Sequence, residues 1–345
     1  MGKYFRKRFS SQQLLLGAAG ALLAGLIVLG GVWQYEYAGA RGPQEGSAVI
    51  DIEENMTGAE IAALLEEKGV IRSARVFRLA LLLNNESSAL KSGHYRLPCG
   101  LTAEEAIREL RKGGGEAFET ITIPEGSTAA QMEAILKKAG LPGGEGFLAE
   151  ASSYAPLPYM KGPEPAAVAG EGFLFADTYD IPENYSARQI CDMMYKRTDE
   201  ILDAEVRRKA EARGLTLHDL MTIASLVERE ARFPEDQEPI ASVIFARLQA
   251  GMPLQIDAAV QYALGETKPE LTTRDLEVAS PYNTYQRTGL PPGPIGAPGR
   301  SAILAVLDAQ PGEYLYYVAQ ADGHHVFLKT YEEHLQAIEE IYGNS

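Results

Sequence analysis

This chain of 345 residues contains little of what metal sites, disulfide frameworks and nucleic-acid surfaces require. Its two cysteines, Cys99 and Cys191, form no metal-ligand pattern; they could form one disulfide in an oxidising compartment or stay two free thiols. The histidines near the C-terminus, His324, His325 and His334, match no zinc spacing. The net charge is −15, and no dense basic run follows the first residues, which argues against nucleic acid as a partner.

The chain also lacks a Gly-x-Ser-x-Gly nucleophile elbow, so a Ser/His/Asp hydrolase is weakly supported. Its content of 46% hydrophobic and 23% charged residues is typical of a folded protein and not of a disordered one. A chain of this length exceeds one average domain, which predicts two or three domains.

One long run without charge lies near the N-terminus, at residues 14–33, and is long enough to cross a bilayer as a helix. Four basic residues precede it: Lys3, Arg6, Lys7 and Arg8. The positive-inside rule then places residues 1–13 in the cytoplasm and everything after Trp33 outside. The alternative is a cleaved signal peptide, since Ala38–Ala40 resembles a cleavage site. The apolar run is longer than a usual signal h-region, which favours an uncleaved anchor.

Three segments after the anchor share a short strand, a turn, a threonine helix cap and an amphipathic helix closed by glycine. They are residues 50–71, 95–114 and 120–141. This order predicts small α+β modules that bind glycans or act as spacers, although strand–turn–helix is common in unrelated proteins. The spacing is too irregular for a solenoid.

The second half of the chain places a carboxylate on an apolar helix face. Residues 217–233 repeat apolar residues at helical spacing, and at about 100° per residue four of them share a face: Leu220, Ile223, Leu226 and Val227. Glu230 falls within their arc, whereas Glu228 projects roughly 160° away from it. Burial should therefore raise the pKa of Glu230, as a general acid requires. The alternative is a slightly different register with Glu230 at a solvated edge.

Four segments carry the most specific pattern: IASLVERE, ASVIFARLQAGMPLQID, SPYNTYQRTGLPPGPI, and GHHVF with His334 after it. Together they resemble the membrane-anchored endolytic murein transglycosylases, the MltG or YceG-like family, and the agreement covers nearly the whole chain. The resemblance implies a bacterial inner-membrane enzyme that cuts nascent peptidoglycan strands internally, with LysM-like modules before its catalytic domain. The catalytic glutamate of that family is the second of an E-[KR]-E triplet, which here is Glu230.

The resemblance implies eight further site residues: Gln255, Asp257, Tyr282, Asn283, Tyr285, His325, Phe327 and His334. Of these we expect Gln255, Asp257 and Asn283 to line the glycan cleft and orient the substrate, although polar residues also fix tight turns. The chain departs from the family pattern at three positions: Ala176 and Ala258, each in place of a proline, and Leu335, in place of an asparagine. We expect these changes to affect loops and a helix start rather than the glutamate.

In the reaction that the resemblance implies, protonated Glu230 donates its proton to the glycosidic oxygen between N-acetylmuramic acid and N-acetylglucosamine. The resulting carboxylate accepts the proton of the muramic acid C6 hydroxyl, which attacks C1 and leaves a 1,6-anhydro end. One carboxyl group is acid and then base, so no metal or organic cofactor is required. A hydrolytic muramidase would need a second carboxylate, for which Asp257, Glu228 and Asp177 are candidates. A non-catalytic scaffold that binds peptidoglycan is the remaining alternative.

The expected fold class is α+β. A single transmembrane helix precedes a LysM-like module region at 48–118 and a mixed catalytic region at 119–345, which includes the strand–helix unit 119–141. Within it we expect helices at 217–233 and 240–250 and a strand at 314–319. The expected partners are peptidoglycan glycan strands and the membrane, with peptidoglycan synthases or the division and elongation machinery as further candidates. The expected location is the bacterial inner membrane, with the catalytic region outside the cytoplasm.

Overall fold

The computed structural model describes residues 46–53, 56–83, 90–114, 118–164, 166–268 and 270–343. These residues belong to two compact units, which divide between Ala117 and Phe118. The expected anchor at 14–33 lies outside the described residues. Within the part of the chain that is described, no helix has the length and apolarity needed to cross a membrane.

The described residues of the first unit form a two-stranded antiparallel sheet and three helices. In chain order its elements are β1 (Ser47–Ile52), α1 (Gly58–Glu67), α2 (Ala74–Leu83), β2 (Gly93–Pro98) and α3 (Ala103–Lys112). β1 pairs with β2 so that Ile50 lies opposite Tyr95. Because side chains alternate along a strand, Ile50 and Ile52 are buried in the core of this unit, whereas Val49 points to the other face of the sheet and is exposed.

The second unit is mainly helical, with two further antiparallel strand pairs, β3 with β4 and β5 with β6. Its elements are β3 (Phe118–Thr122), α4 (Ala129–Lys138), α5 (Phe147–Ser153), β4 (Thr178–Pro182), α6 (Ala187–Ile201), α7 (Ala204–Ala212), α8 (Leu217–Glu230), α9 (Pro234–Gln249), α10 (Asp257–Leu264), α11 (Arg300–Asp308), β5 (Tyr316–Ala319), β6 (His325–Leu328) and α12 (Tyr331–Tyr342). The expected mixed α+β class is confirmed.

The three predicted strand–helix segments have the expected helix caps. α1, α3 and α4 each begin with a capping box, formed by Thr57 with Glu60, Thr102 with Glu105, and Thr128 with Gln131. In each pair the threonine hydroxyl accepts a hydrogen bond from the third backbone N–H of the helix, while the Glu or Gln side chain accepts one from the threonine N–H. Such a cap contributes about 1 kcal/mol to the stability of its helix.

Helix α8 lies at the centre of the second unit and packs against α9, α10 and α11. It ends at Glu230 and not at Phe233 as predicted. The backbone is extended at Ala231 and again at Phe233, where Pro234 disfavours helical backbone, and Pro234 itself begins α9. α9 therefore starts six residues before the predicted Ile240 and continues through Pro239. The predicted strand at 314–319 is also shorter and begins at Tyr316. Both cysteines are free thiols, Cys191 buried and Cys99 partly exposed.

We expect Leu226→Ala to lower the free energy of unfolding of the second unit by about 2–5 kcal/mol, because it leaves a cavity in a tightly packed core. Leu226 is fully buried in the middle of α8. Leu335→Ala is the matched control: Leu335 is 48% exposed on α12, and its loss should change stability by no more than about 0.5 kcal/mol. Urea denaturation of both variants, followed by circular dichroism, makes the comparison; equal effects would contradict the central position of α8.

Candidate active site

Glu230 is the last residue of α8, and the chain turns into extended backbone at Ala231. This end of the helix opens into a cavity of about 340 Å³. The cavity is lined by Glu230, Arg247, Leu254, Gln255, Asp257, Tyr285, Tyr316, Tyr317, Tyr331 and His334. Five of the nine residues predicted from the sequence are therefore brought together here: Glu230, Gln255, Asp257, Tyr285 and His334.

The carboxyl group of Glu230 is surrounded by protein, although the residue keeps some contact with solvent through the cavity. Burial is the main reason that the pKa of Glu230 is raised to about 7, and the negative charge of Asp257 acts in the same direction. Three neighbours act in the opposite direction: the hydrogen bond from the Tyr317 hydroxyl, the backbone N–H of Ala258 and the positive charge of Arg229. The upward shift that the helix pattern predicted is confirmed.

The backbone N–H of Ala258 is present because this chain has alanine where the family pattern has proline. A proline at this position would carry no N–H and could not donate to Glu230. As expected, Ala258 lies at a helix start, in the first turn of α10; its backbone N–H also favours the charged form of the Glu230 carboxyl and so lowers its pKa. Ala176 is buried and Leu335 is exposed, and neither lines the cavity.

Tyr317 is the nearest polar partner of Glu230, and the sequence analysis missed it. Its hydroxyl donates to Glu230 Oε2 at 3.0 Å. The ring lies edge-on to the ring of His325, with centroids 5.4 Å apart, and 6.2 Å from the ring of Phe327. The side chain of His325 is in turn held by Asp236, whose Oδ2 lies 3.2 Å from both the backbone nitrogen and Nδ1 of His325. His325 and Phe327 thus pack behind Tyr317 and do not line the cavity.

Gln255 has strained backbone at the edge of the cavity. It is the only non-glycine among the described residues with positive φ, at 54°. Arg247, also missed by the sequence analysis, holds this loop: its Nη1 donates to the Leu254 carbonyl at 2.7 Å and to Gln255 Oε1 at 3.2 Å. Its Nε donates to the Leu315 carbonyl at 2.6 Å, just before β5. Strained backbone that persists only through such over-determined contacts is common at functional sites.

Asp257 is the only one of the three candidate second carboxylates that shares the cavity with Glu230. Tyr285 donates its hydroxyl proton to Asp257 Oδ1 at 2.5 Å. Glu228 instead accepts from the Gly299 N–H at 3.1 Å. Asp177 forms an ion pair of 2.7 Å with Arg197. Neither of these two lines the cavity.

Asn283 and Tyr282 lie outside the cavity lining. Asn283 is fully buried, and its Nδ2 donates to the carbonyls of Leu276 and Val278, both at 2.9 Å. Its Oδ1 accepts from the backbone N–H of Tyr285 at 3.0 Å. Tyr282 is buried as well. These contacts hold the loop that carries Tyr285. Asn283 therefore fixes a turn, which was the alternative to lining the glycan cleft.

His334 also lines the cavity. Its ring stacks on that of Tyr316, with centroids 5.2 Å apart. Burial, and to a smaller extent the positive charge of Arg247, lowers the pKa of His334 and so favours the uncharged imidazole. Its Nδ1 is buried and has no hydrogen-bond partner among the described residues. In the same part of the chain, no group of three or more His, Cys, Asp or Glu side chains is placed to hold a metal ion.

We expect the stability difference between Glu230→Gln and the native protein to depend on pH: the variant should gain relative to the native protein between pH 5 and pH 8. The pKa of Glu230 is about 7 when folded and near 4.5 when unfolded, so the native protein loses stability as pH rises between these values. The difference between the two proteins should change by about 2–3 kcal/mol over this range. Urea denaturation at both pH values measures it; a pH-independent difference would contradict the raised pKa. Glu171, whose pKa is also raised to about 7, is present in both proteins and cancels.

Comparison with known proteins agrees with the geometry. Residues 50–340 match the model of the YceG-like family. An endolytic murein transglycosylase of Bacillus subtilis is 33% identical over 303 residues, which cover 84% of this chain and 83% of that protein. One of Streptococcus pneumoniae is 30% identical over 83% of this chain, but the match spans only 56% of the longer pneumococcal protein. The crystal structure of a yceG-like protein from Listeria monocytogenes superposes with a TM-score of 0.58 at 32% identity, covering 84% of this chain and 99% of that one. The chain belongs to the YceG-like family.

Proposed function

We propose that this protein is an endolytic lytic transglycosylase of peptidoglycan. It cleaves the bond between N-acetylmuramic acid and N-acetylglucosamine within nascent glycan strands and leaves 1,6-anhydro-muramic acid ends. The observation that carries the proposal is the position of the Glu230 carboxyl group. It faces the cavity, and its pKa is raised to about 7, mainly by burial. Relatives named endolytic murein transglycosylase, which match most of this chain, support the same reaction.

The proposed reaction uses Glu230 twice. Because its pKa lies close to neutral pH, a large fraction of the carboxyl group is protonated when substrate binds. Glu230 gives this proton to the glycosidic oxygen, and the bond from that oxygen to C1 of the muramic acid breaks. The C6 hydroxyl oxygen of the same sugar then bonds to C1, and its proton returns to the Glu230 carboxylate. The N-acetylglucosamine leaves with a free hydroxyl, and no water is consumed.

Four cavity residues are proposed to hold the glycan: Gln255, Asp257, Tyr285 and His334. The ring of His334 lines the cavity, where a ring nitrogen can hydrogen-bond a sugar hydroxyl. The negative charge of Asp257 helps to keep the Glu230 proton in place before reaction. The same charge stabilises positive charge that develops at C1 as the glycosidic bond breaks.

Hydrolysis by a muramidase is less well supported, because its second carboxylate has to position a water molecule. Asp257 is the candidate that shares the cavity, and its Oδ1 is already bonded to the Tyr285 hydroxyl. The C6 hydroxyl, by contrast, belongs to the sugar that it attacks and gains from high effective molarity.

The proposal places the enzyme in the bacterial inner membrane. Residues 14–33 would be its anchor, residues 48–118 a LysM-like region that binds glycan or acts as a spacer, and residues 119–345 the catalytic region outside the cytoplasm. The sequence supports this through the uncharged run and the four basic residues before it. Glycan strands are the proposed substrate, and peptidoglycan synthases or the division and elongation machinery are candidate partners.

Glu230→Gln should abolish the formation of anhydro ends, with a loss of at least about 10²–10⁴-fold, because glutamine can neither donate nor accept the proton. Full-length protein in detergent is incubated with uncrosslinked peptidoglycan strands, and mass spectrometry identifies the ends. Glu228→Gln is the matched control from the same helix turn and should retain the anhydro product. Reducing ends from the native protein would replace the proposal by a muramidase. A folded native protein that binds strands without cleaving them would favour the scaffold.

Tyr317→Phe should move the falling limb of the pH–activity profile to higher pH by about one unit. The Tyr317 hydroxyl lowers the pKa of Glu230, so its removal raises that pKa and keeps the general acid protonated at higher pH. Initial rates measured from pH 5 to pH 9 report the shift. Tyr316→Phe makes the same chemical change one residue away, without touching this hydrogen bond, and should leave the limb in place. An acidic shift for Tyr317→Phe would show that the hydroxyl does not stabilise the carboxylate.

A further inference from the structure

Helix α2 in the first unit has an exposed face that the catalytic proposal does not use. Its inner residues, among them Phe77 and Leu81, are buried in the core of the unit. Its outer arc consists of five exposed residues: Arg75, Arg78, Leu79, Leu82 and Leu83. Leu82 and Leu83 are 70% and 69% exposed, more than any other large apolar side chain among the described residues. Burial of two adjacent leucines against a partner would remove this unfavourable exposure.

The charge of this face is opposite to that of the whole chain. Residues 71–83 contain three arginines and no acidic residue, although the net charge of the protein is −15. A helix that presents arginines and leucines on one face, without acidic residues, is typical of helices that lie on an anionic bilayer. The arginines bind lipid phosphates there, while the leucines enter the boundary between headgroups and acyl chains.

The position of the unit in the sequence agrees with this partner. Only 12 residues, 34–45, lie between the end of the uncharged run and Gly46, the first described residue of this unit. Fully extended, they span at most about 40 Å, so an anchored chain cannot move this unit far from the bilayer. The strong local concentration of lipid favours even a weak contact.

We propose that α2 docks the first unit onto the membrane surface, with Arg75 and Arg78 on anionic lipid phosphates and Leu79, Leu82 and Leu83 in the interface. The inference rests on the proposed anchor at residues 14–33, and it adds a second attachment to that anchor. The exposed face of the sheet, which carries Val49, points away from the buried core that α2 covers and stays in water.

The test places a single tryptophan in full-length protein reconstituted into vesicles. Trp33 is the only tryptophan of the chain, so Trp33→Phe supplies a dark background. Leu82→Trp or Leu83→Trp then reports from α2, and Val49→Trp, on the far face of the sheet, is the matched control. Quenching by brominated lipid is measured in vesicles of phosphatidylcholine with and without phosphatidylglycerol. Flotation of the vesicles tests the anchor separately, and circular dichroism checks that each variant is folded.

Docking predicts strong quenching at positions 82 and 83, little at position 49, and a dependence on phosphatidylglycerol. Changing either arginine to glutamine should weaken the docking equilibrium about fivefold. Protein that floats with vesicles but shows no quenching at 82 and 83 would overturn the proposal while leaving the anchor intact. Equal quenching at 49 and 82 would overturn it too, since the unit would then have no preferred face. Protein that does not float would refute the anchor, and with it the tether on which docking depends.

Discussion

The removal of one carboxyl group from water is the interaction on which the catalytic half of this protein depends. Ionised Glu230 loses solvation at the end of α8, and this loss is the largest influence on its pKa. Without compensation the pKa of the carboxyl group would be higher still, and the group would be a weaker acid that gives up its proton less readily in the first step. The Tyr317 hydroxyl, the Ala258 N–H and the positive charge of Arg229 favour the charged form, and the resulting pKa is about 7. Both protonation states are therefore accessible at neutral pH.

Such a balance requires rigid surroundings, because small movements of donors or charges would change it. α8 is buried around most of its circumference, with nine buried residues between His218 and Val227. Arg247 joins the strained Gln255 loop to the backbone just before β5, so the two walls of the cavity are fixed by one guanidinium. The Asp236–His325 contact holds the ring against which Tyr317 packs. Asp236 and His325, which do not line the cavity, thus help to fix the position of Tyr317, which does.

The sequence predicted the parts of this site that depend on local periodicity. Glu230 could be identified from the helical spacing of its apolar neighbours, and the caps at Thr57, Thr102 and Thr128 from local sequence as well. Tyr317 could not be identified in this way: its bond to Glu230 joins residues 87 positions apart and exists only because β5 lies beside the end of α8. Asn283 was expected to line the glycan cleft because it belongs to a recognisable motif. In the structure it instead holds a turn through hydrogen bonds to backbone groups. The ends of α8 and α9 were misjudged where Pro234 acts on its neighbour.

The backbone at residue 258 shows how a departure from a family pattern can act through a main-chain atom. Where the pattern has proline, Glu230 can receive no hydrogen bond from this position. With alanine the N–H is present and lowers the pKa of the carboxyl, in the same direction as the Tyr317 hydroxyl. Asp257, the neighbouring residue in the chain, raises that pKa. Two successive residues at the start of α10 therefore act in opposite directions on one proton. A substitution between two apolar residues can thus change the pKa of the glutamate through a backbone atom alone. The backbone at the start of α10 and the side chain of Asp257 both influence the acid strength of Glu230.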